Sequence, residues 1–124
     1  MNFYRSKETG SIVGVVVNKG GVLSCDGVAM VEMKANTTDA ATEKHVPVVS
    51  VEGNKVSVVV GSVEHPMTEE HLIQFVMIET NLGRQFKSLK PGERPAAEFL
   101  LLEGEKLVAA YEYCNLHGLW KAEV

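Results

Sequence analysis

Apolar positions in this chain come in short, valine-rich bursts, each cut off by glycine, asparagine or proline. Bursts of this length and β-branched content predict strands rather than helices. "SIVGVVV" (11–17) runs into "NKGG" and then "VLSC" (22–25), which predicts a hairpin with a glycine-bearing turn. Residues 34–44, "KANTTDAATEK", have no apolar periodicity and predict a linker or long loop. "HVPVVSV", "EGN" and "KVSVVVGSV" predict a second hairpin, with His45 opening its first strand and Pro47 confining that strand to a sheet edge or start. Further on come "HLIQFVMIET", the turn "NLG", "RQFKSLK", the loop "PGERP", "AEFLLLE", a turn at Gly104 and "KLVAAYEY".

One segment pulls two ways. In "TEEHLIQFVMIE" (68–79), Thr68 followed by two glutamates resembles a helix start, and Ile73, Val76 and Met77 fit helical spacing. The content of isoleucine, phenylalanine and valine, and the tight NLG turn that follows, favour a strand. A strand is the expectation. Six or more short strands, with a turn about every 8–12 residues, predict an all-β antiparallel sandwich.

With 124 residues the chain has room for one real core and a small appendage. Its 45% apolar and 23% charged content is that of a globular protein. The net charge of −4 offers no basic stripe for phosphates, so no nucleic-acid partner is expected. "MNFYRSKETG" has no secretory h-region, and "IVGVVV" falls far short of the roughly 20 residues a bilayer span needs. No membrane partner is expected. Cys25 and Cys114, the only two cysteines, do not form a disulfide framework. A reducing cytoplasm is the expected setting.

The candidate chemistry lies in His45, His65, His71, Cys114 and His117. Each falls at a strand end or in a connecting loop, and loops at one end of a sandwich converge. Taken singly, a loop histidine is more often solvated than ligating, and the C-x-x-H of "YCNLHGLW" is a weak signal. Taken together, the five need a metal that accepts imidazole and thiolate; iron, copper and zinc qualify. Five protein ligands argue against structural zinc, which stops at four in most sites.

Three strings are more specific. "EKHVPVV" (43–49), "GSVEHPMTEEH" (61–71) and "EYCNLHGLWKAE" (112–123) resemble the signature segments of the superoxide reductases, the neelaredoxin and desulfoferrodoxin family. The resemblance implies an immunoglobulin-like antiparallel β-sandwich over residues 37–124, preceded by a small β-rich domain over 1–36. It implies one mononuclear iron, with His45, His65, His71 and His117 as equatorial ligands and the Cys114 thiolate as axial ligand. His117 would bind through Nδ1 and the other histidines through Nε2, leaving the sixth position open. Backbone amides of Leu116 and His117 are expected to donate to the sulfur. The implied reaction is one-electron reduction of superoxide to hydrogen peroxide.

Two more residues take roles from the same resemblance. Lys44 would be the catalytic charge that attracts superoxide, and Glu43 the sixth ligand of the resting ferric iron. By itself a lysine at the end of a polar linker reads as solvated, and a neighbouring glutamate as a surface carboxylate.

At the N-terminus the resemblance breaks. Two-iron members hold a second iron there through C-x-x-C and an adjacent cysteine pair. This chain has Ser6 and Thr9 in "YRSKETGSIV", and Cys25 followed by Asp26 in "LSCDGVAM". Serine and threonine are poor soft ligands, so the small domain is expected to carry no metal and Cys25 to behave as a small buried hydrophobe. The electron then comes from outside, from a rubredoxin-like donor, and association into a homodimer or homotetramer is implied. Two alternatives stand beside the reductase: a non-catalytic metal-binding or storage module, and a thiol enzyme using a Cys114–His117 pair.

Overall fold

The computed structural model describes residues 1–124. It divides into two compact units, Met1–Lys34 and Ala35–Val124. The division falls two positions ahead of the boundary read from the sequence. Asn36 explains the difference, because it is strung to the last strand of the larger unit: its N–H donates to Leu119 O (3.0 Å), and its Oδ1 accepts from Lys121 N–H (2.9 Å).

In the smaller unit β1 (Asn2–Arg5) is the centre of a three-stranded antiparallel sheet, flanked by β2 (Ile12–Val15) and β5 (Val31–Met33). β3 (Ser24–Cys25) and β4 (Val28–Ala29) form a separate two-stranded ribbon. The hairpin expected between "SIVGVVV" and "VLSC" is therefore not formed. β2 folds back on β1, and Val16, Val17 and Val22 are exposed. The ribbon closes instead on Asp26 and Gly27, whose φ values of 51° and 78° suit a two-residue hairpin turn that needs positive φ at both positions. An Asp-Gly turn is a stronger hairpin signal than the Asn-Lys-Gly-Gly segment before it. Cys25 is half-buried rather than buried.

The larger unit is an immunoglobulin-like sandwich of two antiparallel sheets. One has the order β10–β7–β6: Ala96–Leu100, Lys55–Val60 and Pro47–Glu52. The other has the order β12–β11–β8–β9: Gly118–Glu123, Leu107–Cys114, Ile73–Thr80 and Arg84–Ser88. The β6–β7 hairpin forms as expected, with Pro47 as the first residue of an edge strand. "HLIQFVMIET" is a strand from Ile73 onward. β12, within "HGLWKAE", has no counterpart in the sequence reading; its only punctuation is Gly118, directly after His117.

Alternation along the strands sends Val56, Val58 and Val60 of β7 and Ala97 and Phe99 of β10 inward. They meet Ile73, Val76 and Ile78 of β8 and Ala110 and Cys114 of β11. Burying a valine or isoleucine fully stabilises by about 1.5–3 kcal/mol, so this layer holds the unit together. The step from Ile73 to Val76 breaks the alternation, and a bulge explains it. Tyr113 pairs Phe75 while Cys114 pairs Ile73, leaving Gln74 as the extra residue. Bulges of this kind bend a strand and re-aim its end. This one lies where β8 leaves the His71 loop. No helix in the chain is long and apolar enough to cross a membrane.

Candidate metal centre

Three segments at one end of the sandwich carry the five residues. His45 is the last residue of α1 (Thr42–His45), a single helical turn before β6, and so does not open a strand as expected. The turn is closed by backbone hydrogen bonds from Lys44 N–H to Ala41 O (3.2 Å) and from Val46 N–H to Thr42 O (3.0 Å), and Pro47 starts the strand two residues after it. His65 and His71 lie in the connection between β7 and β8, and His117 in the turn between β11 and β12. Cys114 is the last residue of β11, fully buried and part of the core.

The backbone fixes how two of the rings face. His45 Nδ1 lies 2.7 Å from Ala41 O, and His65 Nδ1 lies 2.7 Å from Pro66 O. A carbonyl only accepts, so both Nδ1 atoms carry the proton and both Nε2 atoms are bare acceptors in the neutral ring. Each residue is only 2% exposed. Burial lowers the pKa of His45, pulls that of His65 down to about 4, and lowers that of His71. The three rings are thus held toward the neutral, ligating form.

Neighbouring rings close a square. His45 to His65, His65 to His71, His71 to His117 and His117 to His45 have centroid separations of 4.8, 4.5, 5.1 and 4.9 Å. Their planes meet at 72°, 81°, 77° and 86°, so each imidazole stands edge-on to the next. His45 Nε2 is 3.2 Å from His65 Nε2 and 3.1 Å from His117 Nδ1. Cys114 Sγ is 3.8 Å from His117 Nδ1, and one ligand atom from each of the five residues lies within 4.8 Å of all the others.

This arrangement fits a metal ion. Two bare nitrogens 3.2 Å apart repel unless a cation stands between them, and His71 Nε2 is buried with no hydrogen-bond partner. Imidazole nitrogens about 2.1 Å from a metal and at right angles to each other stand about 3 Å apart, which is the spacing seen here. Four imidazoles and one thiol form a set that iron, copper or zinc accepts.

Surrounding groups hold the set in place. Trp120 stacks on His45 (5.0 Å, 23°), and its Nε1–H donates to His117 O at 3.0 Å. Asn115 joins two of the loops: its Oδ1 accepts from Leu72 N–H (3.0 Å) and its Nδ2 donates to Glu70 O (3.0 Å). Thr68 Oγ1 accepts from His71 N–H at 3.1 Å. The sequence reading gave none of these three a part in the site; Thr68 entered it only as a possible helix start. Trp120 carried a signal, as the only tryptophan and three residues after a histidine.

Burial raises the pKa of the Cys114 thiol, while backbone N–H groups of Leu116 and His117 pull it the other way. A buried, protonated thiol is a poor nucleophile, which disfavours the thiol-enzyme reading. A metal would deprotonate it outright. Glu112, on the same inward face of β11, is fully buried without a partner for either oxygen, and burial pushes its pKa up to about 9. It sits there as a neutral acid. Lys44 and Glu43 occupy the same turn as His45. The Lys44 charge acts on both His45 and His71, and the Glu43 charge on His45.

Comparison with known proteins agrees with this geometry. The family described as Desulfoferrodoxin matches residues 37–123. The chain is 48% identical over 120 residues to a desulfoferrodoxin of Nitratidesulfovibrio vulgaris, covering 97% of this chain and 94% of that one. It is 46% identical over 122 residues to a desulfoferrodoxin homolog of Archaeoglobus fulgidus, covering 98% and 96%. Among solved structures, the superoxide reductase from Treponema pallidum superposes with a TM-score of 0.83 at 38% identity, covering 98% of both chains. The chain belongs to the desulfoferrodoxin family.

Proposed function

We propose that this chain is a superoxide reductase, holding one iron through His45, His65, His71, His117 and Cys114. The observation that carries the reading is the closed square of imidazoles, with bare nitrogens facing one another beside a buried thiol. Iron bound there supplies the electron that, with two protons, converts superoxide to hydrogen peroxide.

The residues of this chain prepare that chemistry. Neutral imidazoles leave the metal its positive charge. The Cys114 sulfur donates electron density, tempered by the N–H groups of Leu116 and His117. Lys44 attracts the anion. A unit charge pair at 4 Å is worth about 4 kcal/mol at an effective dielectric of 20, before screening by salt. That attraction matters in a chain of net charge −4, whose overall field repels superoxide. Glu43, one residue earlier on the turn, would offer its carboxylate to the metal in its oxidised state. A storage module has no use for a charge that draws an anion to its metal, so the enzyme reading is favoured over that alternative.

The small unit takes no metal in this reading, since Cys25 is its only thiol. The electron therefore comes from a separate rubredoxin-like carrier, docking weakly at the histidine end. Two free thiols suit a cytoplasmic setting, and assembly as a homodimer or homotetramer completes the proposal.

The test is stoichiometric. Supplied with reductant and a pulse of superoxide, the iron-loaded protein should yield one hydrogen peroxide per superoxide consumed. A yield of one per two, with no reductant spent, would mean dismutation; no acceleration would leave only metal storage.

A further inference from the structure

We propose that Gly61 is a positioning residue for the Glu43–Lys44 pair, an inference that rests on the reductase reading above. Gly61 is buried at the end of β7, where the chain turns toward His65. A side chain there would have nowhere to go. A Cβ on Gly61 would stand 2.6 Å from Glu43 O, 2.9 Å from the Lys44 carbonyl carbon and 3.1 Å from His45 N. All three atoms are backbone, so none can swing aside as a flexible side chain does. Gly61 does not have positive φ; what excludes a side chain here is the backbone packed against it.

The next two residues grip the same carbonyl. Val63 N–H donates to Glu43 O at 2.9 Å, and Ser62 Oγ–H donates to it at 3.2 Å. Together the three residues form a cradle in which the backbone of the α1 turn rests. The cradle leads straight into His65, whose N–H donates to Val60 O at 3.0 Å. One short segment therefore sets both a ligand and the turn that carries Lys44. A methyl group at Gly61 must push Glu43 and Lys44 away by several tenths of an ångström or more, while His65 keeps its own anchor.

Gly61→Ala tests this in two ways. In the metal-free protein, amide hydrogen exchange at Val63 should quicken while exchange at His65 stays slow. In the iron-loaded protein, the bimolecular reaction with superoxide should slow by about tenfold and lose part of its salt dependence, the expected effect of a misplaced steering charge. In a Lys44→Ala background, Gly61→Ala should slow the reaction no further. An additive loss in that background, or a wild-type salt dependence at full iron content, would overturn the proposal. Should Gly61→Ala fail to fold, Ser62→Ala removes one of the two donors to Glu43 O without crowding; a quicker Val63 exchange and a loss of about twofold in rate are expected, and no change in either would overturn it. If the wild-type protein itself ignores superoxide, the reductase reading falls while the exchange result still reports on the cradle.

Discussion

The two units treat their polar loop residues in opposite ways. In the smaller unit they satisfy one another: Thr9 N–H donates to Ser6 Oγ (3.1 Å), Thr9 Oγ1–H to Ser11 Oγ (3.0 Å), and Cys25 Sγ lies 3.8 Å from Thr9 Oγ1. In the sandwich, the imidazoles of His45 and His65 turn their protons to backbone carbonyls and their lone pairs to each other, and His71 Nε2 has no partner. A polar cluster that closes on itself asks for nothing from outside. One that leaves several bare nitrogens around a single point is incomplete without a cation. Burial raises the stakes, because an unsatisfied buried polar group costs about 1–3 kcal/mol.

Removing the metal tests the contrast most severely. Chelation of the iron-loaded protein should destabilise the sandwich, by about 4 kcal/mol if the metal was present at a thousand times its dissociation constant. Hydrogen exchange across residues 42–45, 61–71 and 114–117 should quicken, with residues 1–34 unchanged. Equal loosening of both units would break the comparison. Next in size is Lys44→Ala, which should slow superoxide consumption about tenfold at low ionic strength and flatten its salt dependence. Lys19→Ala, in the smaller unit, should change neither. Smallest is Ser6→Ala, which orphans the Thr9 N–H and should cost about 1 kcal/mol of stability in residues 1–34. Iron content and rate should not move; a loss of iron would mean that the hydroxyl cluster has a part in the metal chemistry.

The parts of this molecule legible in its sequence are those where local pattern and long-range packing agree. The valine alternation of β6 and β7 has a tight glycine-asparagine turn between its strands, and the structure pairs them as expected. The strand from Ile73 was legible because β-branched and aromatic content outweighed a weak helix start. The first hairpin was not, because two turn candidates compete within ten residues and β1, joined to β2 through residues 6–11, takes it as its partner. β12 was hidden for a similar reason: its residues pair only with β11, and the motif before it draws attention to Cys114 and His117. Of the site, the five ligand candidates could be named from strings alone. The supports could not. Asn115, Thr68 and Gly61 act through backbone contacts that join segments distant in the chain or lie across a turn, and nothing in their neighbouring residues announces it.

The central claim is that Cys114 and the four histidines hold a single iron. The direct measurement is the visible absorption spectrum of the oxidised, iron-loaded protein beside that of Cys114→Ser. One thiolate-to-ferric charge-transfer band, present in the first and absent from the second, is the predicted result, with one iron per chain. No such band in either protein, with iron absent or replaced by zinc, would contradict the account and leave a structural or storage module.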